Sequence, residues 1–169
     1  MKKSLNNTKM LVLIALFIAL SVIGAGIKVP GPISSIALDA LPAFLAALVL
    51  GGIPGAVVGA VGHMVSALLG GFPLSLPIHI IIAVQMAAVM LAVGWLQRKH
   101  NTVLAVIAGI FLNGVAAPAT FILIPKMGVP FFMGAVLPLL IAGAVNAITA
   151  GVIYYCIRDT QAVKVIKGA

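Results

Sequence analysis

The stretch KVPGPISSIALDALPAFLAALVL, Lys28 to Leu50, contains the feature that decides the fold. Its first half is rich in proline, glycine and serine, and its second half is a short apolar run from Ile36 to Leu50. A helix crosses the hydrocarbon core of a bilayer with about 20 apolar residues, whereas one of ~15 residues covers only ~22 Å. The stretch also holds Asp39, one of only two acidic residues in the chain. A helix over this run therefore cannot span the hydrocarbon core alone, and an acidic group lies near its start.

The composition places the whole chain in a membrane. Of its 169 residues, 63% are hydrophobic and 7% are charged, and the mean hydropathy is +1.31. The surface of a soluble domain would need many more charges. The formal net charge of +8 is divided among the ends of apolar runs and does not collect on one face, which argues against a nucleic-acid-binding surface.

Charges, prolines and glycine pairs divide the chain into six apolar runs, which predict an all-α membrane bundle of six transmembrane helices. We treat residues 1–169 as a single integral membrane domain. The predicted helices are about 9–27, 36–50, 54–69, 77–96, 102–124 and 130–157.

The distribution of basic residues predicts the topology. An even number of crossings puts both termini on one side, and eight of the ten Lys and Arg residues share that side. They are Lys2, Lys3, Lys9, Arg98, Lys99, Arg158, Lys164 and Lys167. The positive-inside rule then predicts a multi-pass protein of the cell membrane with both termini in the cytoplasm. The basic N-terminus also resembles a secretory signal, but its long apolar run favours a retained first helix.

The short second and third runs leave two structural alternatives. One is a water-filled cavity roofed by the outer loops, because irregular backbone at membrane depth is tolerated where it lines a cavity. The other is a hairpin that turns at GGIPG, Gly51 to Gly55, and thins the bilayer around it. Both alternatives leave the outer loops as the expected location of solute chemistry.

The residues argue against an enzyme and against an internal energy source. Asp39 and Asp159 are the only acids, and no nucleophile, zinc or phosphate-loop motif is present. The single cysteine, Cys156, has no partner for an internal disulfide. We expect no catalytic residue, metal or cofactor. No acid, lysine or arginine lies in the middle of an apolar run, where proton-coupled carriers usually hold one.

Sparse polar and aromatic groups predict a small-molecule site. Outer positions include Lys28, Ser34, Ser35 and Lys126, and deeper ones include His63, Ser66 and Thr149. The expected solute-binding residues are Asp39, Phe72, Ser75, His79, Gln85, Asn113, Thr120 and Asn146. With one acid among amides, hydroxyls and imidazoles, the site favours a largely neutral, partly aromatic molecule.

Structural roles compete with binding at each position. Asp39 can cap a helix that has Pro42 in its first turn, and the amides can join neighbouring helices. The spacing of Asn113 and Thr120 predicts a shared helix face.

The first helix contains ALFIA, in which Ala15 and Ala19 form a flat strip where another helix can approach closely. In its length, six helices, cytoplasmic termini and Ala-x-x-x-Ala motif, nearly the whole chain resembles the S components of energy-coupling factor (ECF) vitamin importers. This resemblance implies that Ala15 and Ala19 dock onto a transmembrane coupling subunit that carries two ATPase subunits. It also implies that substrate binds near the outer face and that the S component topples in the bilayer.

Two stretches suggest the substrate. DALPAFLAALVLGG, from Asp39, and GHMVSALLGGFPLSLPIHIIIAVQM, from Gly62, resemble the α-ribazole (CblT-type) branch, which salvages a cobalamin precursor. The alternatives are an S component for another vitamin or precursor, an autonomous facilitator or channel, and a structural membrane protein without a ligand.

Overall fold

The computed structural model describes residues 7–29, 36–125 and 127–167 and shows a bundle of helices. Its elements are α1 (Asn7–Gly26), β1 (Lys28–Val29), β2 (Ile36–Ala37), α2 (Leu41–Val49), α3 (Gly52–Leu69), α4 (Leu76–Lys99), α5 (Thr102–Phe111), α6 (Ala117–Ala119), α7 (Gly128–Ile157) and α8 (Gln161–Lys167). A π-helical turn, Leu112–Ala116, joins α5 to α6, and a 3-10 turn, Thr120–Leu123, follows α6. The prediction of an all-α membrane fold is confirmed; β1 and β2 form only a two-residue antiparallel ribbon.

Five helical segments among the described residues are long and apolar enough to cross a membrane. They are Asn7–Gly26, Gly52–Leu69, Leu76–Lys99, Thr102–Leu123 and Gly128–Ile157. Large apolar side chains cover their outer faces: Ile53 is 74% exposed and Leu123 is 86% exposed. Such faces suit lipid, and water would not solvate them.

The second predicted helix, 36–50, is wrong in its bounds and in its length. Residues 36–37 belong to the ribbon, and α2 has only nine residues, about 14 Å of helix. The predicted shortness of this helix is present in the structure, but the helix begins at Leu41 and not at Ile36. In the described residues, the short ribbon strand Ile36–Ala37 precedes α2.

The short α2 is stable because it lies inside the bundle. Its side chains pack against α1, α3, α4 and α7, and Phe44 and Leu48 are fully buried. A helix that is apolar on every side is typical of a buried position. The burial of α2 favours the cavity alternative over the thin hairpin.

Glycine residues allow close helix packing at the C-terminal end of α2. Gly51 has a φ of +105°, which few other residues adopt, and it turns the chain into α3. A Cβ added to Gly94 of α4 would lie 2.3 Å from the backbone nitrogen of Gly52. The α3 and α4 backbones therefore lie in close contact here.

Most of the described basic residues lie at the end of the bundle where α2 terminates, and Lys28 of β1 is the exception. Lys9 lies in the first turn of α1, Arg98 and Lys99 end α4, and Arg158 follows α7. The final helix α8 was not predicted; its Val163 is buried against the same end of the core. The extended chain before α2 and the start of α4 lie at the opposite end, because Leu38 contacts Gly24 near the end of α1.

Candidate functional site

A cavity of about 260 Å³ lies between the extended chain before α2 and the helices α3, α4 and α7. Five of the eight predicted solute-binding residues line it: Asp39, His79, Gln85, Asn113 and Asn146. His63, which the sequence marked only as a deep polar residue, also lines it. The sequence therefore located most of the polar wall of one chamber, although these residues come from five separate segments.

Asn146 holds the extended chain at its depth in the bundle. Its Oδ1 accepts a hydrogen bond from the Leu41 backbone nitrogen at 2.7 Å, and its Nδ2 donates to the carbonyls of Ala37 and Ala142, both at 2.9 Å. The first amides of a helix lack partners within the helix, so Asn146 supplies the cap of α2 from α7. Both of its donor hydrogens are therefore used within the fold.

The expectation that Asp39 caps this helix is wrong. The N-cap position is Ala40, and no side chain among the described residues before it bonds to the first turn, although Pro42 does lie in that turn. The Asp39 carboxylate instead interacts with its own backbone amide and that of Ala40. Asp39 is partly exposed and lines the cavity, so its carboxylate is available to a solute.

The π-helical turn places Asn113 in the cavity wall. Pro118 lacks a backbone N–H, so the regular hydrogen-bond ladder cannot continue past it, and the helix widens between Leu112 and Ala116. The Asn113 amide has no hydrogen-bond partner among the described residues. Such turns are frequent at functional sites because they point a side chain where a regular helix would not.

The same change of helix type separates Asn113 from Thr120, so the predicted shared face is wrong. Thr120 is exposed and lies outside the cavity lining, on the other side of Gln85. Its hydroxyl accepts from Gln85 Nε2 at 2.6 Å and donates to the Ala117 carbonyl at 2.8 Å. Gln85 Nε2 also lies 3.3 Å from that carbonyl, which leaves the Gln85 Oε1 without a partner among the described residues. Thr120 therefore positions Gln85.

Two histidines form a hydrogen-bonded pair between α3 and α4. His63 Nε2 lies 3.1 Å from His79 Nδ1, and the Leu74 backbone nitrogen donates to His79 Nε2 at 3.4 Å. His79 is 5% exposed, whereas His63 is half-buried. The pair thus connects the loop between α3 and α4 to the cavity wall.

The aromatic surface of the cavity differs from the expectation. Phe72 is not among the lining residues; it packs behind His79, with ring centroids 5.7 Å apart. Phe121 and Phe131 line the cavity, with centroids 5.3 Å apart. The sequence signal that could have found them is their position on either side of the fifth loop. Ser75 is exposed and lies outside the lining.

Some predicted polar positions fall outside the described residues. Ser34, Ser35 and Lys126 are among them, and only the backbone of Lys28 is described. Among the described lining residues, Asp39 is the only acidic or basic side chain apart from the two histidines. The described part of the cavity therefore favours a neutral solute, or one that donates a proton or carries a positive charge near Asp39.

The comparison with protein families gives one finding. A family model described as "ECF transporter, substrate-specific component" matches residues 9–158. A comparison with curated proteins returned no similar sequence. The match covers all five membrane-spanning helical segments almost completely, together with every described residue of the cavity.

Proposed function

Because this chain belongs to the family of substrate-specific components of ECF transporters, we propose that its cavity captures α-ribazole or a related cobalamin precursor for uptake. Membership makes the chain the substrate-binding membrane subunit of a transporter that works with ECF membrane and ATPase modules. The substrate-specific components of ECF transporters are not a family of enzymes. The substrate and the contacts argued below belong to the proposal.

The observation that carries the proposal is the chemistry of the cavity wall. Its 260 Å³ is close to the lower end of small-molecule sites, ~300–1,000 Å³, which suits one vitamin-sized solute. Phe121 and Phe131 offer an aromatic surface for the benzimidazole ring. Asp39 and Asn113 offer an acceptor and a free amide for the ribose hydroxyls. The proposed substrate combines an aromatic part with a hydroxyl-rich part in the same way.

The packing beneath the cavity favours a binding subunit over an autonomous channel. Phe44, Leu48 and Met90 are no more than 1% exposed and fill the centre of the bundle below the chamber. Their burial argues against an open path through the described part of the bundle. We propose that solute release requires movement of the whole subunit, driven by its ATP-hydrolysing partners.

The orientation belongs to the same proposal. The described basic residues at helix ends lie opposite the cavity, and they are Lys9, Arg98, Lys99, Arg158 and Lys164. The positive-inside rule predicts that this end of the bundle, with both termini, lies on the cytoplasmic side of the cell membrane. The cavity then opens toward the outside, where an importer meets its substrate.

Docking of the partner is assigned to α1. Ala15 and Ala19 are exposed on the face of α1 that points away from the bundle, while Ser21 and Gly24 are buried on the opposite face. Small residues on an exposed helix face allow another helix to approach closely in lipid. This arrangement supports the coupling subunit as the occupant of that face.

Binding of α-ribazole to the purified protein tests the substrate. Isothermal titration in detergent should give saturable binding with one molecule per chain. Saturable binding of a different vitamin, with no binding of α-ribazole, would overturn the substrate assignment.

A further inference from the structure

We propose that His63 determines specificity by presenting its Nδ1–H to the ligand, with its tautomer fixed by a hydrogen-bond chain from the loop between α3 and α4. The inference rests on the proposed function, because it gives His63 a role toward the solute in the cavity. The solute it selects carries a hydrogen-bond acceptor, such as a heterocyclic nitrogen or a hydroxyl oxygen, opposite His63.

The hydrogen-bond chain begins at the Leu74 backbone amide, a group that can only donate. The Leu74 backbone N–H points at His79 Nε2 from 3.4 Å, so this nitrogen must accept. A neutral imidazole has one donor and one acceptor nitrogen, so the proton of His79 resides on Nδ1.

The second link passes the same constraint to His63. His79 Nδ1 lies 3.1 Å from His63 Nε2, so the Nδ1–H of His79 donates and His63 Nε2 accepts. The proton of neutral His63 must then be on its own Nδ1. One backbone amide therefore sets the tautomers of two imidazoles in sequence.

The last donor of the chain has no partner within the described structure. No hydrogen bond joins His63 Nδ1 to a described residue, although the ring is half-buried and lines the cavity. This nitrogen is open to the cavity, so a solute that displaces water from it must supply an acceptor if the donor is to stay paired. A solute of the same shape without an acceptor would leave the donor unpaired, and this difference produces selectivity.

The hydrogen-bond chain also connects the ligand to the loop between α3 and α4. The side chain of Leu74 lines the cavity while its amide begins the chain. On either side, Phe72 and Ser75 have φ values of +49° and +77°, which are uncommon for residues other than glycine. His79 therefore helps to hold a strained loop in place, and an acceptor bonded to His63 reinforces the same chain.

The tautomers can be measured without any ligand. The chain contains three histidines, and His100 lies at the other end of α4, so ¹⁵N-histidine labelling gives few signals. Substituting each histidine in turn assigns them. We expect a pyrrole-type Nδ1 and a pyridine-type Nε2 for both His63 and His79 at neutral pH. A pyrrole-type Nε2 on His63 would overturn the inference, whichever solute the protein transports.

Two substitutions separate the ligand donor from the chain. In His63→Asn, the side-chain amide nitrogen occupies roughly the place of Nδ1, so the donor to the ligand is kept and the link to His79 is lost. In His63→Gln, the amide reaches the place of Nε2, so an acceptor for His79 is kept and the donor is lost. Titration with α-ribazole should give affinity within about threefold of wild type for His63→Asn and about tenfold weaker for His63→Gln.

The outcomes distinguish this inference from the proposed substrate. The reverse order of the two variants, or equal affinities for both and the wild type, would overturn the role of His63. If α-ribazole binds to none of the three proteins, the substrate assignment fails. In that case the ligand-free ¹⁵N spectra still decide for or against the tautomer on which the inference depends.

Discussion

Two asparagines in the cavity wall have opposite roles. Asn146 is 1% exposed and uses its amide in three hydrogen bonds, whereas Asn113 has no described partner. Residue type and helical spacing could indicate that both were polar positions facing the interior. They could not indicate which amide was already bonded, because the partners of Asn146 at Ala37 and Leu41 are more than 100 residues away in sequence.

Removing the Asn146 amide should destabilise the fold. Asn146→Ala leaves the Leu41 amide and the Ala37 carbonyl without partners, at a cost on the order of 2 kcal/mol. A lower thermal unfolding temperature in detergent measures this effect. The matched control is Asn113→Ala, which should unfold near the wild-type temperature but bind α-ribazole more weakly. Equal unfolding temperatures for the two variants would contradict the role of Asn146.

Asp39 should contribute to binding through its charge. Asp39→Asn keeps the size of the side chain but removes the carboxylate, and a hydrogen bond to a charged group contributes about 1.5–3 kcal/mol. We expect affinity for α-ribazole to fall about tenfold or more in a titration. Asp159→Asn is the control, because that exposed acid pairs with Arg158 at the other end of the bundle. Wild-type affinity in Asp39→Asn would refute the contact.

At the scale of the elements, length and hydropathy were sufficient for the long helices and insufficient for α2. The bounds of α1, α3, α4 and α7 differ from their predictions by at most three residues, and α3 and α7 end where predicted. The run 36–50 is equally apolar. Its first residues are extended chain that Asn146 holds by a hydrogen bond to the Ala37 carbonyl, and the surrounding helices bury α2. Burial among other helices cannot be distinguished from contact with lipid by apolar content alone. The irregular turns after α5 have a local cause in Pro118, and the sequence did show that signal.

The contact between α3 and α4 should tolerate no added methyl group. Gly94→Ala would push its Cβ to within 2.4 Å of two backbone atoms of Gly52, so the helices must separate. We expect a loss of about 2 kcal/mol or more, read from thermal unfolding. Gly134→Ala in α7 is the control, because its Cβ would meet nothing within 4 Å. That substitution should be neutral or slightly stabilising, since alanine favours helix by ~1 kcal/mol. Similar unfolding temperatures for the two variants would contradict the packing.

At the scale of the molecule, the sequence predicted a membrane bundle with its cavity opposite the basic end. Composition and the ends of the apolar runs were sufficient because lipid imposes strong constraints on both. The cavity itself required the tertiary structure, since its lining comes from residues between Asp39 and Asn146. The exposed strip on α1 was readable as a motif, although comparable strips serve internal packing elsewhere, as at Gly55 against Ala47.

A bulkier residue in the Ala15–Ala19 strip of α1 should prevent assembly with the coupling subunit and leave solute binding intact. Ala15→Leu adds bulk to an exposed face, so α-ribazole affinity should remain as in wild type while assembly with the coupling subunit is lost. Co-purification with the coupling module measures assembly. Ala88→Leu, at an exposed alanine of α4, is the control and should assemble normally. Normal assembly of Ala15→Leu would reject α1 as the docking face.

The most direct test of the account is accumulation of α-ribazole in proteoliposomes that contain this subunit with or without its membrane and ATPase partners. The account predicts ATP-dependent accumulation in the complete assembly and none with the subunit alone. Accumulation, or rapid equilibration, by the subunit alone would contradict it.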